Sequence, residues 1–153
     1  MRIPFDREGH RWVGVEEKRY ADGEQGARGM SWKGVTRCEI FRAIEGARFD
    51  LRYFEIAPGG YSRLEKHQHA HAIVVIRGHG EALIGDQVVN LQPFDAATVP
   101  PMTPHRWVNA GDEPFGFVCP AESPRDMPQP LSDDEIARLL FNEATRRIVE
   151  IDG

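Results

Sequence analysis

Gly59-Gly60-Tyr61-Ser62-Arg63-Leu64-Glu65-Lys66-His67-Gln68-His69-Ala70-His71-Ala72-Ile73-Val74-Val75-Ile76-Arg77-Gly78 is the stretch on which the reading turns. His67, His69 and His71 alternate, with Glu65 two residues before them. Alternate residues of a strand point to one side. Single histidines are ordinary on surface strands. Three within five residues, leading into the β-branched run Ala72–Ile76, are harder to assign to a solvated patch. Imidazole is the commonest metal ligand. From this cluster alone, a metal site and a solvated histidine patch stand level.

Outward from the cluster the chain reads as strands. Phe49–Ile56 alternates and is expected to stop at Pro58-Gly59-Gly60. Glu81–Ile84 and Gln87–Val89 flank Gly85-Asp86, a two-residue hairpin turn. Ala97–Val99, Arg106–Val108 and Phe115–Cys119 follow, each bounded by Pro, Gly or Asn. Short strands at near-regular spacing with no helix between them indicate an antiparallel sandwich or barrel. Residues 47–120 are therefore the barrel core. Residues 1–46 form a polar, Gly-rich extension packing on it, with an edge strand within Trp32–Ile44. Residues 121–153 hold a Pro-rich strap and one C-terminal helix. That helix opens on the capping box Ser132-Asp133-Asp134-Glu135 and carries Ile136, Leu139, Leu140, Ala144, Arg147, Ile148 and Ile151 at helical spacing along one face. This face is expected to lie on the barrel or on a partner chain.

A fourth histidine lies in Val99-Pro100-Pro101-Met102-Thr103-Pro104-His105-Arg106-Trp107-Val108-Asn109. Here the chain resembles the cupin family. The first cupin motif is matched without a gap by Gly59, Glu65, His67, His71 and Gly78, and the second by Pro100, His105 and Asn109. Two spaced motifs separated by a hairpin are a far stronger signal than either alone. Two departures stand out. Glu65 sits where the motif has its first His and His71 where it has Glu, so three imidazoles and one carboxylate remain with places exchanged. Phe94 and Met102 stand at the second motif's two glycines. The resemblance implies an all-β fold, a cupin double-stranded β-helix (jelly-roll barrel) with a C-terminal α-helix. It also implies one divalent transition metal per chain on Glu65, His67, His71 and His105. A register that pairs His67 with His69 puts Ile73 at the third ligand position. His69 is therefore expected to face the ligands or the substrate. Mn or Fe suits an open site of this donor set best; Ni, Co and Zn are also compatible with it.

Strand parity turns Trp107 inward from His105 and Ile73 inward from His71. The last strand presents either Phe117 and Cys119 or Gly116 and Val118. In the small single-domain cupins that this chain resembles, the equivalents of Phe117 and Cys119 face the metal. The expected substrate pocket is then His69, Ile73, Trp107 and Phe117. Cys119 is either an inert core thiol, the commoner case, or a catalytic one whose thiolate a nearby cation favours. Gly59–His67, Gly116–Cys119 and Pro124–Pro128 are similar to a bacterial cupin group that includes 1-methylthio-xylulose 5-phosphate methylsulfurylase, a sulfur-salvage enzyme. That resemblance implies a lyase reaction on a methylthio-ketose phosphate, with Cys119 or glutathione as co-substrate taking the sulfur. A dioxygenase of a dione or thiol, a sugar isomerase and a non-catalytic binding cupin are the competing readings, since fold does not choose among them. Arg52, Arg106 and Lys33 are phosphate-binding candidates by charge alone.

Composition bounds the partners. The chain has 153 residues and a net charge of −5. The excess of acids argues against general affinity for nucleic acid or anionic lipid. Two distant cysteines make no disulfide framework, and the first residues carry no apolar signal-peptide core. A cytoplasmic enzyme is expected, with a small-molecule substrate, no nucleic acid and no membrane. Many cupins are dimers, so a homodimer is expected, with the C-terminal helix available to it.

Overall fold

The computed structural model describes residues 2–23, 31–43 and 46–151. A hairpin-like pair, β1 (Phe5–Asp6) and β2 (Arg11–Trp12), precedes β3 (Glu17–Arg19) and β4 (Lys33–Phe41). The barrel strands are β5 (Phe49–Tyr61), β6 (His71–Arg77), β7 (Gly80–Ile84), β8 (Gln87–Leu91), β9 (Ala96–Val99), β10 (His105–Val108) and β11 (Phe115–Glu122). They form one curled sheet in the order β8-β7-β10-β5-β11-β6-β9, and β4 pairs with both β3 and β5. The expected edge strand is thus β4, which carries β3 on its outer side; Ile44 lies outside the described residues. No described helix is long and apolar enough to cross a membrane.

Each face of the sheet buries a separate apolar layer. The concave face encloses Val35, Ile56, Ile73, Val75, Trp107 and Phe117 among others. The convex face of β7 and β10 packs Leu83 and Val108 against Ile136, Leu139, Ile148 and Val149 of the C-terminal segment.

Two sequence expectations are corrected. β5 does not stop at Pro58-Gly59-Gly60 but continues to Tyr61. Lys33 pairs with Tyr61 and Val35 with Ile56, so β5 carries a bulge of extra residues there. A Cβ on Gly60 would lie 2.5 Å from the Lys33 carbonyl, which leaves room for glycine alone. Beyond the bulge β5 changes partner to β10. Asn109 clips that corner, its Nδ2 donating to the carbonyls of Ile56 and Glu113, each at 2.8 Å.

The expected single helix is instead two, α1 (Asp133–Phe141) and α2 (Glu143–Val149). Asn142, extended at φ −96° and ψ 131°, ends the first and caps the second by accepting from Ala144 N at 2.9 Å. An asparagine side chain that bonds local backbone competes with a continuous helix. The Ser132–Glu135 capping box forms as read. At the second motif's two glycine positions, Phe94 and Met102 adopt φ of 75° and 57°. These two side chains occupy the left-handed conformation that glycine would hold without strain.

Candidate metal centre

Glu65, His67 and His69 lie on the segment between β5 and β6, while His71 and His105 open β6 and β10. An antiparallel bridge joins the two motifs. Glu65 N donates to His105 O at 3.1 Å, and His105 N returns a bond to Glu65 O at 2.9 Å. Met102 N reaches His67 O at 2.7 Å. The rings of His67, His71 and His105 gather with centroids 4.6, 4.8 and 4.9 Å apart.

Each imidazole has its outer nitrogen occupied. His67 Nδ1 lies 2.7 Å from the His69 carbonyl, and His105 Nδ1 lies 2.9 Å from the Thr103 carbonyl. A carbonyl only accepts, so both Nδ1 atoms carry the proton and both Nε2 atoms keep a lone pair. His71 Nδ1 contacts Cys119 Sγ at 3.2 Å, and its Nε2 is 2.8 Å from His67 Nε2. Burial pushes His71 far below the usual imidazole range, helped by His105 and His67, and lowers His105 to about 4. Burial also raises Glu65 to about 7, against the pull of Arg63 and Arg52. Glu65 Oε2 is buried with no hydrogen-bond partner. Converging neutral nitrogens and an unpartnered carboxylate oxygen suit a divalent transition metal.

Two overlapping triads meet the spacing for an ion: Glu65, His67, His105 and His67, His69, His71. His69 thus joins His67 and His71 in one triad, while Glu65 and His105 join His67 in the other. Its ring stacks on His67 at 3.6 Å, and its Nδ1 is held by Asp126 Oδ1 at 2.7 Å.

Residues 52–120 match the family described as Cupin domain. A curated relative, 1-methylthio-D-xylulose 5-phosphate methylsulfurylase of Rhodospirillum rubrum, is 35% identical over 147 residues, covering 96% of this chain and 90% of the relative. The crystal structure of a cupin-2 domain protein from Rhodospirillum rubrum superposes with a TM-score of 0.81 at 34% identity, covering 100% of this chain and 99% of that one. That of a cupin 2 conserved barrel domain protein from Rhodopseudomonas palustris gives 0.84 at 32% identity, covering 95% and 97%. This chain belongs to the cupin family.

The cupin barrel encloses a cavity of about 400 Å³ above the histidines. Trp107, Phe117, Cys119 and His69 line it. Ile73 is 1% exposed within the core and forms no part of that wall. The phosphate candidates separate. Arg52 lines the cavity; Lys33 is exposed and does not. Arg106 points to the convex face, where it donates to the carbonyls of Ser62 and Ile148. Cys119 is 1% exposed, with Sγ 3.9 Å from Arg52 Nη2. Burial pushes its thiol pKa up while Arg52 opposes, so the protein's own charges do not supply the expected lowering. Cys38 is buried on the other side of β4, in register with Tyr53.

Tyr20, Trp32, Phe54 and Asp126 also line the cavity, beyond the pocket residues expected from the sequence. Phe54 shares parity with Arg52 and Ile56 on β5, a signal present in the alternation. Asp126 lies in the Pro124–Pro128 stretch that carries the resemblance, but only the folded strap brings it to His69.

Proposed function

We propose that this cupin is a metal-dependent enzyme of sulfur salvage that releases the methylthio group of 1-methylthio-xylulose 5-phosphate. The observation that carries this reading is Cys119 Sγ at 3.2 Å from His71, at the foot of an aromatic cavity. The 35% identity to the methylsulfurylase along 96% of the chain supports it. Glu65, His67, His71 and His105 are the proposed ligands, for Mn or Fe first. A metal held there supplies a Lewis acid for the ketose oxygens. His69, whose Nδ1 is held by Asp126, is the proposed substrate-facing residue.

The Cys119 sulfur attacks the methylthio sulfur and the bond from that sulfur to C1 breaks. The electron pair stays on C1, spread onto the neighbouring carbonyl as an enolate. C1 then gains the proton the thiol has lost, giving 1-deoxy-xylulose 5-phosphate. Cys119 is left as a methyl disulfide. One glutathione releases methanethiol from it and a second restores the thiol, forming glutathione disulfide. Trp107 and Phe117 shield the carbanion from water.

The test is turnover of 1-methylthio-xylulose 5-phosphate with glutathione under argon by the metal-loaded protein, reading methanethiol. Activity should match that in air. Cys119→Ser should lose at least about a hundredfold, as removal of a covalent nucleophile does. Cys38→Ser should be unaffected. Full activity in Cys119→Ser, or activity only with O₂, refutes the thiol mechanism.

A further inference from the structure

The proposed substrate ends in a phosphate, and resting on that reading, we propose that Arg52 is the cavity's phosphate-recognising residue. Arg52 is only 5% exposed to bulk solvent, yet its side chain lines the cavity. A guanidinium so buried normally has a carboxylate partner. Arg52 has none. On β5 its register partner from β11 is Cys119 and its register partner from β4 is Glu39. Glu39 is engaged by Arg37 at 2.9 Å and by Arg42. The remaining contacts of Arg52 are the long approach to Cys119 Sγ and the face of Phe54, 5.2 Å from the ring centroid. Its Nε is buried with no hydrogen-bond partner.

Arg37, Arg63 and Arg125 also line the cavity, and Arg63 lies over the Trp32 ring, 5.4 Å from its centroid. Arg125 Nη1 already reaches Asp50 Oδ2 at 3.3 Å, and Arg37 is paired with Glu39. Arg52 therefore holds an unspent planar donor fork inside the cavity of a chain whose net charge is −5. Phosphate matches that fork with two parallel charge-assisted bonds. The alternation of β5 fixes the geometry: Arg52 stands directly opposite Cys119, so a phosphate on Arg52 sets the distance from the far end of the ketose to the attacking sulfur.

Calorimetry of the metal-loaded protein with inorganic phosphate, and with 1-deoxy-xylulose 5-phosphate against unphosphorylated 1-deoxy-xylulose, tests this without turnover. Arg52→Met should weaken both phosphate ligands about ten- to a hundredfold and leave the unphosphorylated sugar unchanged. Arg52→Lys should recover part of the loss, and it serves alone if Arg52→Met does not fold. Phosphate binding within twofold of wild type in a folded variant overturns the proposal, as does equal weakening of the unphosphorylated sugar. In either case methanethiol release by the wild type still stands or falls separately.

Discussion

Arg106→Met should destabilise the fold without touching the metal centre. On β10, Trp107 faces the cavity and His105 the other histidines, while Arg106 faces the helices, its side chain fully buried. Its Nε donates to Ser62 O at 2.8 Å, and Nη1 donates to Ile148 O at 3.1 Å and Val149 O at 3.4 Å. The guanidinium also lies 4.6 Å from the Tyr61 ring centroid. Two good charged bonds at about 1.5–3 kcal/mol each, with a desolvated cation–π contact of about 2, set the gross loss. A methionine avoids the guanidinium's desolvation, which offsets several kcal/mol of it. The net cost is then about 3 kcal/mol. For a domain of this size that lowers Tm by about 6–12 °C. Thermal melts read the shift, and hydrogen exchange should show α2 amides losing protection first. Metal content per folded molecule should stay at the wild-type value. A Tm within 2 °C of wild type, or loss of metal in step with stability, would refute the division of β10 into two faces.

His105→Ala should lower bound metal sharply by elemental analysis, because it removes one of the proposed ligands; unchanged occupancy sinks the assignment. A metal bonded to His69 in place of Glu65, seen by crystallography of the loaded protein, would sink the register. Lys66 first, then the Ser132 amide, hold Glu135 at about 2 against the usual 4.5. Its stabilising contribution is present above the ordinary carboxylate range and is lost as pH falls from about 4.5 towards 2. Glu135→Gln should flatten the acid limb of a stability–pH curve in that window, and an unaltered limb would contradict the pairing. Phe94→Gly should raise Tm slightly, since the residue is 83% exposed and its left-handed backbone costs about 1 kcal/mol; a lower Tm would show that the ring contributes packing.

The resemblance to the two cupin motifs implied the four proposed ligands, while spacing by itself carried the hairpin at Gly85-Asp86 and the capping box at Ser132, because both are local rules. Parity is a period of two, so it also placed Trp107 on the cavity side. Even the mismatches kept the motif's register: Phe94 and Met102 take a glycine's backbone angles where the motif has glycine. Tertiary structure alone decided the rest. The bulge at Gly59-Gly60 depends on β4 and β10 sharing one strand, which no local pattern records. The break at Asn142 needed its side chain to outcompete a helix that periodicity favoured. Arg52 and Arg106 are both arginines on barrel strands, indistinguishable by charge. Which one meets the cavity and which one ties down α2 follows from where carbonyls and carboxylates lie in three dimensions. Asp126, 57 positions along the chain from His69, reached it only once the strap had folded. The buried, unpartnered Nε of Arg52 and Oε2 of Glu65 reflect relations between distant residues that spacing along the chain does not record.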